Sequence, residues 1–499
     1  MYTASETSLI SLTVLVALGI LGWGFYRARR FGKLGILAWL QSVVLMAPWL
    51  LFFGLFATGI YINLAGVLLL LVASTVVYVY LGNRLRAAGG DAVLRAKATE
   101  RLDSSNSQTT DSPDAAVKPA SEKLKIEVVP PIPDEDLNAI RGIFGIDTFF
   151  ATETIPYQEG AIFKGNLRGE PDIVYDRLNA SLQKKLGDRY RLFLVENAEG
   201  KPVFILLPSS NDPRPSSLSQ KIFAAVLFVA TIATSLETGG LLQGFDVFTA
   251  PARYQEAIPI ALGILAVLVA HEIGHRLLAQ RYQVRLSPPF FLPTLQIGAF
   301  GAITKIESLL PNRKVLFDIA LAGPAAGGIV SLLMLLAGLL LSHPGSLFQV
   351  PSQFFSGSIL VGTLAKVVLG SAVNQPLVDV HPLTVIGWLG LVITALNLMP
   401  AGQLDGGRIV QAIYGRKTAG RTTIATVIVL GIASFANPLA LYWAVVILFL
   451  QRDLERPSLN ELTEPDDARA ALGLLALFLT IATLLPITPA LAGRLGIGG

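Results

Sequence analysis

The chain holds four histidines and no cysteine, so any transition metal it binds must be held by imidazole and carboxylate. The histidines are His271, His275, His343 and His381. Two of them stand four residues apart in His271-Glu272-Ile273-Gly274-His275, a His-Glu-x-x-His motif. Four residues is about one helical turn, so both imidazoles project from one helix face toward one cation. Zinc suits that donor set, and it lowers the pKa of a water in its open position to about 7. Glu272 lies on the adjoining edge, placed to take that water's proton and deliver it to a leaving amine. The motif directly follows Leu262–Ala270, an unbroken apolar stretch. Ionisable residues in such a setting are costly and usually functional. The plainer reading is a buried helix carrying two incidental histidines and one Glu.

Two imidazoles leave zinc one protein ligand short. The best candidate is Asp405, in Asn397-Leu398-Met399-Pro400-Ala401-Gly402-Gln403-Leu404-Asp405-Gly406-Gly407. Pro400 and the glycines break a helix at membrane depth, which is tolerated only where protein shields the backbone or the backbone lines a cavity. Asp405 can complete a site of two histidines and one carboxylate. Asn397 could donate a hydrogen bond to the scissile carbonyl or its oxyanion. The competing reading has Asp405 merely turning the chain at the membrane boundary. His343-Pro344 reads as a span end, and His381 precedes a span on the side away from the metal. Asp318 and Glu237 read as near-interface polar residues or helix partners.

Positioning these residues is the task of a membrane fold. Of 499 residues, 52% are hydrophobic and 15% charged, against about 25% charged in an average soluble chain. Mean hydropathy is +0.58. Ten apolar runs are long enough to propose as spans: Leu9–Tyr26, Gly35–Ile60, Leu64–Leu81, Ile222–Thr238, Ala257–Leu278, Val315–Leu341, Leu383–Met399, Thr422–Phe435, Pro438–Leu450 and Ala470–Leu485. Around Ala436-Asn437-Pro438 two short spans or one kinked span both fit. No Arg- and Ser-rich transit segment precedes the first run, which reads as a retained span. The net charge of +4 is clustered beside apolar runs, as loop anchors rather than a nucleic-acid surface. With the N-terminus outside, the basic clusters fall on the cytoplasmic side. The opposite loops, 239–256 and 342–380, hold few basic residues.

The expected fold is an α-helical polytopic membrane protein of about ten spans with a small cytoplasmic α+β domain. Residues 1–97 form an N-terminal membrane region with three spans, and 98–122 a disordered linker. The α+β domain covers 123–210, the metalloprotease core 219–455, and a C-terminal span and tail 456–499. Within the domain, a short helix starts after Pro133, and a second over Pro171–Leu186 places Ile173, Leu178, Leu182 and Leu186 on one face. Tyr190–Glu196 and Pro202–Leu207 read as a β-hairpin. The domain holds no His or Cys, so binding or gating suits it better than chemistry. Ser287–Ile306 is apolar but rich in Pro and Gly. It reads as a re-entrant loop or strand near the site, either a packing loop or an edge that pairs with an unwound substrate. Gly323-Pro324 and Gly327-Gly328 are expected to pack closely against the motif helix.

His-Glu-x-x-His with a distant Asn-x-x-Pro-x-x-x-Leu-Asp-Gly resembles the site-2 protease family of intramembrane metalloproteases. Pro288-Pro289-Phe290-Phe291-Leu292-Pro293, Gly298-Ala299-Phe300-Gly301, Ala322-Gly323-Pro324-Ala325-Ala326-Gly327 and Asn397–Arg408 look like one branch of it. That branch is found in chloroplasts and cyanobacteria and is known as the ethylene-dependent gravitropism-deficient and yellow-green proteases. The resemblance covers roughly Ile126–Leu485. It implies zinc held by His271, His275 and Asp405, with Glu272 catalytic. It also implies cleavage of single-span membrane-protein substrates near the cytoplasmic side, in a cyanobacterial plasma or thylakoid membrane. The partners expected are those substrates and the lipid bilayer, without nucleic acid; self-association into a homo-oligomer is compatible with the sequence. No PDZ-like domain is visible, so substrates must be selected some other way. Some members of the branch lack the zinc motif, and its presence here favours an enzyme over a non-proteolytic scaffold or chaperone. No internal repeat supports a transporter.

Overall fold

The computed structural model describes residues 132–487 except 158, 198, 296, 436 and 452, together with scattered positions between 22 and 84. The expected spans at Leu9–Tyr26, Gly35–Ile60 and Leu64–Leu81, and the linker at 98–122, lie wholly or largely outside the described residues. The chain divides into two compact units, one of residues 1–127 and 425–450, the other of 128–424 and 451–499. All the candidate site residues fall in the second.

That unit begins with an α+β domain. Helix α1 (Asp134–Arg141) opens after Pro133 with three acidic residues in its first turn, where the helix dipole favours negative charge. Strands β1 (Phe149–Tyr157) and β2 (Gly160–Leu167), helix α2 (Pro171–Leu186), and strands β3 (Tyr190–Glu196) and β4 (Pro202–Pro208) follow. The sheet order is β1-β2-β4-β3, every pair antiparallel. The expected β3–β4 hairpin is present. The β1–β2 hairpin was not anticipated, because a register shift between Ala151 and Glu153 breaks the two-residue alternation that marks a strand. The buried face of α2 is Val174, Tyr175, Leu178, Leu182 and Leu186. Ile173, expected on that face, is 61% exposed. A four-residue step back from Leu178 reaches Val174, and Ile173 lies about 100° round the helix from it.

The second part of the unit is helical. α3 (Leu218–Leu241), opened by a capping box between Ser217 and Gln220, α4 (Tyr254–Arg281) and α5 (Arg313–Leu341) are long and apolar enough to cross a membrane. So is the last helix, Asp467–Leu484. Between α4 and α5, residues 287–306 form an antiparallel hairpin of β5 (Phe290–Thr294) and β6 (Gly298–Ile303). The stretch 342–380, expected as a plain loop, holds β7 (Phe348–Pro351), α6 (Ile359–Leu369) and β8 (Leu377–Val380), with β7 and β8 paired. α6 has 11 residues, about half the length that spans a bilayer. α7 (Pro382–Asn397) is 16 residues long and stops just ahead of Pro400. α8 (Asp405–Ala433) is broken at Gly415, whose φ is 78°. The expected span Thr422–Phe435 is therefore the far part of a longer, kinked helix. α9 (Pro438–Val446) belongs to the first unit, and Asp467–Leu484, back in the second, is α10. α5 packs against both α4 and α7, and this three-helix layer carries the site.

Candidate metal centre

His271, Glu272 and His275 all lie on α4 and all are buried. A helix can bury two imidazoles against a neighbour only if that neighbour leaves room, and α5 does. A Cβ on Gly323 would collide with the His275 ring, and one on Gly274 would collide with the Ala322 carbonyl. One on Gly327 would lie 3.1 Å from the His271 Cβ. Gly323 and Gly327 thus let α5 approach the motif, as expected, whereas Gly328 faces Thr394 of α7 instead.

Asp405, the first residue of α8, arrives from the opposite direction. Its Oδ2 is 3.1 Å from His271 Nε2 and 3.4 Å from His275 Nε2, and the two nitrogens are 3.1 Å apart. Four ligands on a zinc ion, each about 2.0–2.1 Å from it, stand about 3.3–3.4 Å apart. The observed triangle has that size. Its chemistry fits as well. His275 Nδ1 lies 2.7 Å from the Ile319 carbonyl and must donate to it, which leaves Nε2 as a lone pair turned inward. Three electron-rich atoms converging in a buried space repel one another unless a cation or proton lies between them. Among the described residues, His271, His275 and Asp405 form a group able to hold a metal ion. His343 and His381 take no part: His343 Nδ1 pairs with the Pro344 carbonyl, and His381 caps α7 by accepting from Leu383 N–H.

Glu272 points toward the β5–β6 hairpin. Its Oε2 accepts a 2.8 Å hydrogen bond from the Thr304 hydroxyl, just past β6. Asn397, at the end of α7, donates through Nδ2 to the Ile393 carbonyl at 2.9 Å and to the Phe300 carbonyl at 3.4 Å. Both partners are carbonyls, which fixes the amide orientation. Gly301 (φ 111°) lies so near that a Cβ there would come within 2.5 Å of Asn397 Nδ2. Asn397 therefore holds β6 against α7. Together with His271, Glu272, Gly301 and Ala302 it lines a small cavity of about 10 Å³, enough for about one water.

Three residues that the motif analysis gave no role complete the arrangement. Arg408, one helical turn after Asp405, reaches Asp405 Oδ1 at 3.8 Å, Glu455 Oε2 at 3.0 Å and the Thr304 carbonyl at 2.8 Å. The signal for Arg408 was its spacing of three from Asp405, which puts both on one helix face. Thr304 and Glu455 carried no signal, since their relation to the motif exists only in three dimensions.

A triangle of metal-ligand atoms with the Glu272 carboxylate beside it defines a membrane metallopeptidase of the kind whose third ligand comes from a separate helix. The comparisons agree. The profile of Peptidase family M50 matches residues 259–436, and that of the EGY3 middle domain matches residues 138–213. "Probable zinc metalloprotease EGY1, chloroplastic" of Arabidopsis thaliana is 39% identical over 393 residues, covering 71% of this chain and 72% of that protein. "Probable zinc metalloprotease EGY2, chloroplastic" of the same plant is 38% identical over 371 residues, covering 73% and 67%. "Probable zinc metallopeptidase EGY3, chloroplastic" is 34% identical over 376 residues, covering 70% and 65%. No solved structure matches. The chain belongs to the EGY branch of the M50, or site-2 protease, family and is a zinc metalloprotease.

Proposed function

We propose that the protein is an intramembrane endopeptidase that cleaves transmembrane helices of single-span membrane proteins near the cytoplasmic side. The observation that carries this reading is the buried triangle of His271, His275 and Asp405 with Glu272 beside it, on helices apolar enough to lie in a bilayer. Held by those three side chains, zinc would supply a Lewis acid for the scissile carbonyl and an acidified water. Glu272, oriented by the Thr304 hydroxyl, takes the proton of the attacking water and passes it to the leaving amide nitrogen. Apolar packing around α4, α5 and α7 keeps bulk water away from these groups.

The site as it stands admits little more than a water, so a substrate must displace a wall. The β5–β6 hairpin is that wall: Phe291, Gly301 and Ala302 line the cavity. Among the described residues β6 pairs with no strand but β5, and an unwound substrate strand would add along it in place of the side-chain contacts that Asn397 and Thr234 make with its Phe300 and Gly298 carbonyls. A helical peptide bond is shielded by its own turns, and pairing with β6 would hold it extended. Proline at Ala302 or Ile303 is expected to abolish cleavage while zinc stays bound; full activity would sink this part of the reading.

The full topology we propose has about ten spans with the N-terminus outside, and domain limits as read from the sequence. The α+β domain is then cytoplasmic, where it regulates or selects substrates. The setting is a multi-pass protein of a cyanobacterial plasma or thylakoid membrane, in keeping with the chloroplastic relatives. The decisive test compares the purified chain with Glu272→Gln for zinc content and for cleavage of a test transmembrane substrate. Equal zinc, with cleavage only by the unaltered chain, is expected; equal cleavage by both would falsify the mechanism.

A further inference from the structure

The region around Asp405 contains more charge than a metal site needs. Arg408 and Glu455 are both buried, at 5% and 6% exposure. A buried charge is tolerated only when paired, and breaking such a pair is strongly unfavourable. Arg408 has two carboxylates in reach. Glu455 Oε2 is the nearer, at 3.0 Å from Nη2 and 3.1 Å from Nε; Asp405 Oδ1 is at 3.8 Å. Glu455 therefore balances the guanidinium, and Asp405 keeps Oδ2 for the two imidazoles. Without the Glu455 charge, Arg408 would draw on Asp405 instead and turn its carboxylate away from the histidines. Arg408 also holds the Thr304 carbonyl at 2.8 Å, and the Thr304 hydroxyl orients Glu272. One guanidinium thus sets both a metal ligand and the base.

Glu455 is itself held by its neighbours. Its carbonyl accepts from the Gln411 amide at 3.1 Å and from the Arg416 guanidinium. Four residues further on, the same segment pairs with the α+β domain. Leu194 of the edge strand β3 donates its N–H to the Leu459 carbonyl at 2.8 Å, and its carbonyl accepts from Glu461 N–H at 2.9 Å. On its other side the segment donates from Leu459 to the Leu310 carbonyl and from Asn460 to the Pro311 carbonyl, just ahead of α5. Side chains lock the contact: Asn460 Nδ2 donates to Asp172 Oδ1 at 3.0 Å, and the Thr463 hydroxyl donates to the same oxygen.

We propose that Glu455 is a positioning residue for the metal site, acting through Arg408, and that residues 454–463 form a strap coupling the docking of the α+β domain to the orientation of Asp405. The proposal rests on the reading of Asp405 as a metal ligand. It gives the domain, which holds no His or Cys, a physical route to the active site. A displacement of β3 pulls on Leu459 and Glu461, and four residues away the Glu455 carboxylate shifts against Arg408.

The test uses the full chain in detergent, stripped of zinc and titrated with Co²⁺, whose visible bands report ligand geometry. Glu455→Gln keeps the shape and removes the charge. It is expected to weaken Co²⁺ binding by about 10–100-fold, in the range of lost outer-shell contacts, and to shift the bands. Turnover should fall with KM little changed, and Glu455→Asp should restore part of each. Wild-type affinity and spectrum in Glu455→Gln would overturn the proposal. The double variant Asp172→Ala, Asn460→Ala should move both readouts in the same direction by a smaller factor; if it leaves them untouched, the coupling is refuted. Should Glu455→Gln fail to fold, Arg408→Lys carries the test, because a single ammonium cannot reach Glu455, Asp405 and the Thr304 carbonyl together. It is expected to show the same band shift, and unaltered bands refute the proposal. Asp405→Ala, run alongside, separates the two readings. Wild-type Co²⁺ binding there removes Asp405 from the ligand set, whereas its loss there with no change in Glu455→Gln refutes the Glu455 proposal and leaves the metal site standing.

Discussion

The α+β domain and the helical core both bury apolar side chains but differ in the charged and polar residues buried beside them. The domain interior is built from Phe149, Phe163, Phe204, Leu178, Leu182, Leu192 and Leu206, with the Phe144 ring tilted against those of the three phenylalanines at centroid distances of 4.7–5.6 Å. Its stability comes from apolar area and ring packing. The helical core around α4, α5 and α8 buries His271, His275, Glu272, Asp405, Arg408 and Asn397, and draws its backbones together with glycine. A region meant only to stay folded fills its interior with large side chains. A region meant to hold a cation keeps apolar clusters around it but must also balance charge and commit hydrogen bonds to remain ordered.

This contrast can be broken at chosen points. The largest effect is expected from Gly323→Val, which drives a branched side chain into the His275 ring. Zinc retention through dialysis should be lost. Gly328→Ala is the matched control, because its new methyl meets the Thr394 side chain at an ordinary 3.5 Å, and zinc should stay. Next comes Phe204→Ala in the domain. Truncating a fully buried aromatic costs about 3–5 kcal/mol, which hydrogen exchange across residues 149–208 would register. Zinc stoichiometry should hold, since no ligand lies in the domain. Asn397→Ala distinguishes two roles by magnitude. A residue that steadies β6 should cost less than about tenfold in turnover on loss of one good hydrogen bond. A fall of about 10²–10³ would instead mark a donor to the oxyanion.

The smallest effect is in pH. Burial, then the hydrogen bond to Asp136, pushes the Tyr190 phenol up to about 12 from an ordinary 10, and burial raises Tyr175 as well. The folded domain therefore binds these protons more tightly than the unfolded chain does. Their stabilisation is full below pH 10 and is lost as pH rises from about 10 toward 12. Denaturation of the domain followed across that window should show the slope, and Tyr190→Phe should flatten it; an unchanged slope would point to other groups.

How far the sequence reached differs between these regions for physical reasons. The motif on α4 was legible because a metal site on a helix repeats at the helix's own period. The four long apolar helices among the described residues were legible because a bilayer demands length and low charge. The hairpin β3–β4 showed itself through alternation about a glycine. The β1–β2 pair did not, because its bulge interrupts the alternation. α6 and the β7–β8 pair were hidden inside what looked like a loop, since an 11-residue apolar helix lies below the length that signals a span. The α2 face was off by one residue at Ile173, an error of one position in a pattern read without knowing what the helix packs on.

The residue types and spacing alone determined that His271 and His275 share a face, that Glu272 lies beside them, and that Asp405 sits where a membrane helix breaks. Each of those statements concerns neighbours along the chain, or the cost of polar groups in an apolar run. Only the tertiary structure decided that Asp405 and not another carboxylate closes the triangle, that Thr304 bonds Glu272, and that Arg408 and Glu455 pair behind it. The contacting pairs are 32 positions apart for Glu272 and Thr304, 47 for Arg408 and Glu455, 104 for Thr304 and Arg408, and 134 for His271 and Asp405. Nothing in local periodicity relates groups so distant, and their meeting is set by how α4, α5 and α8 pack.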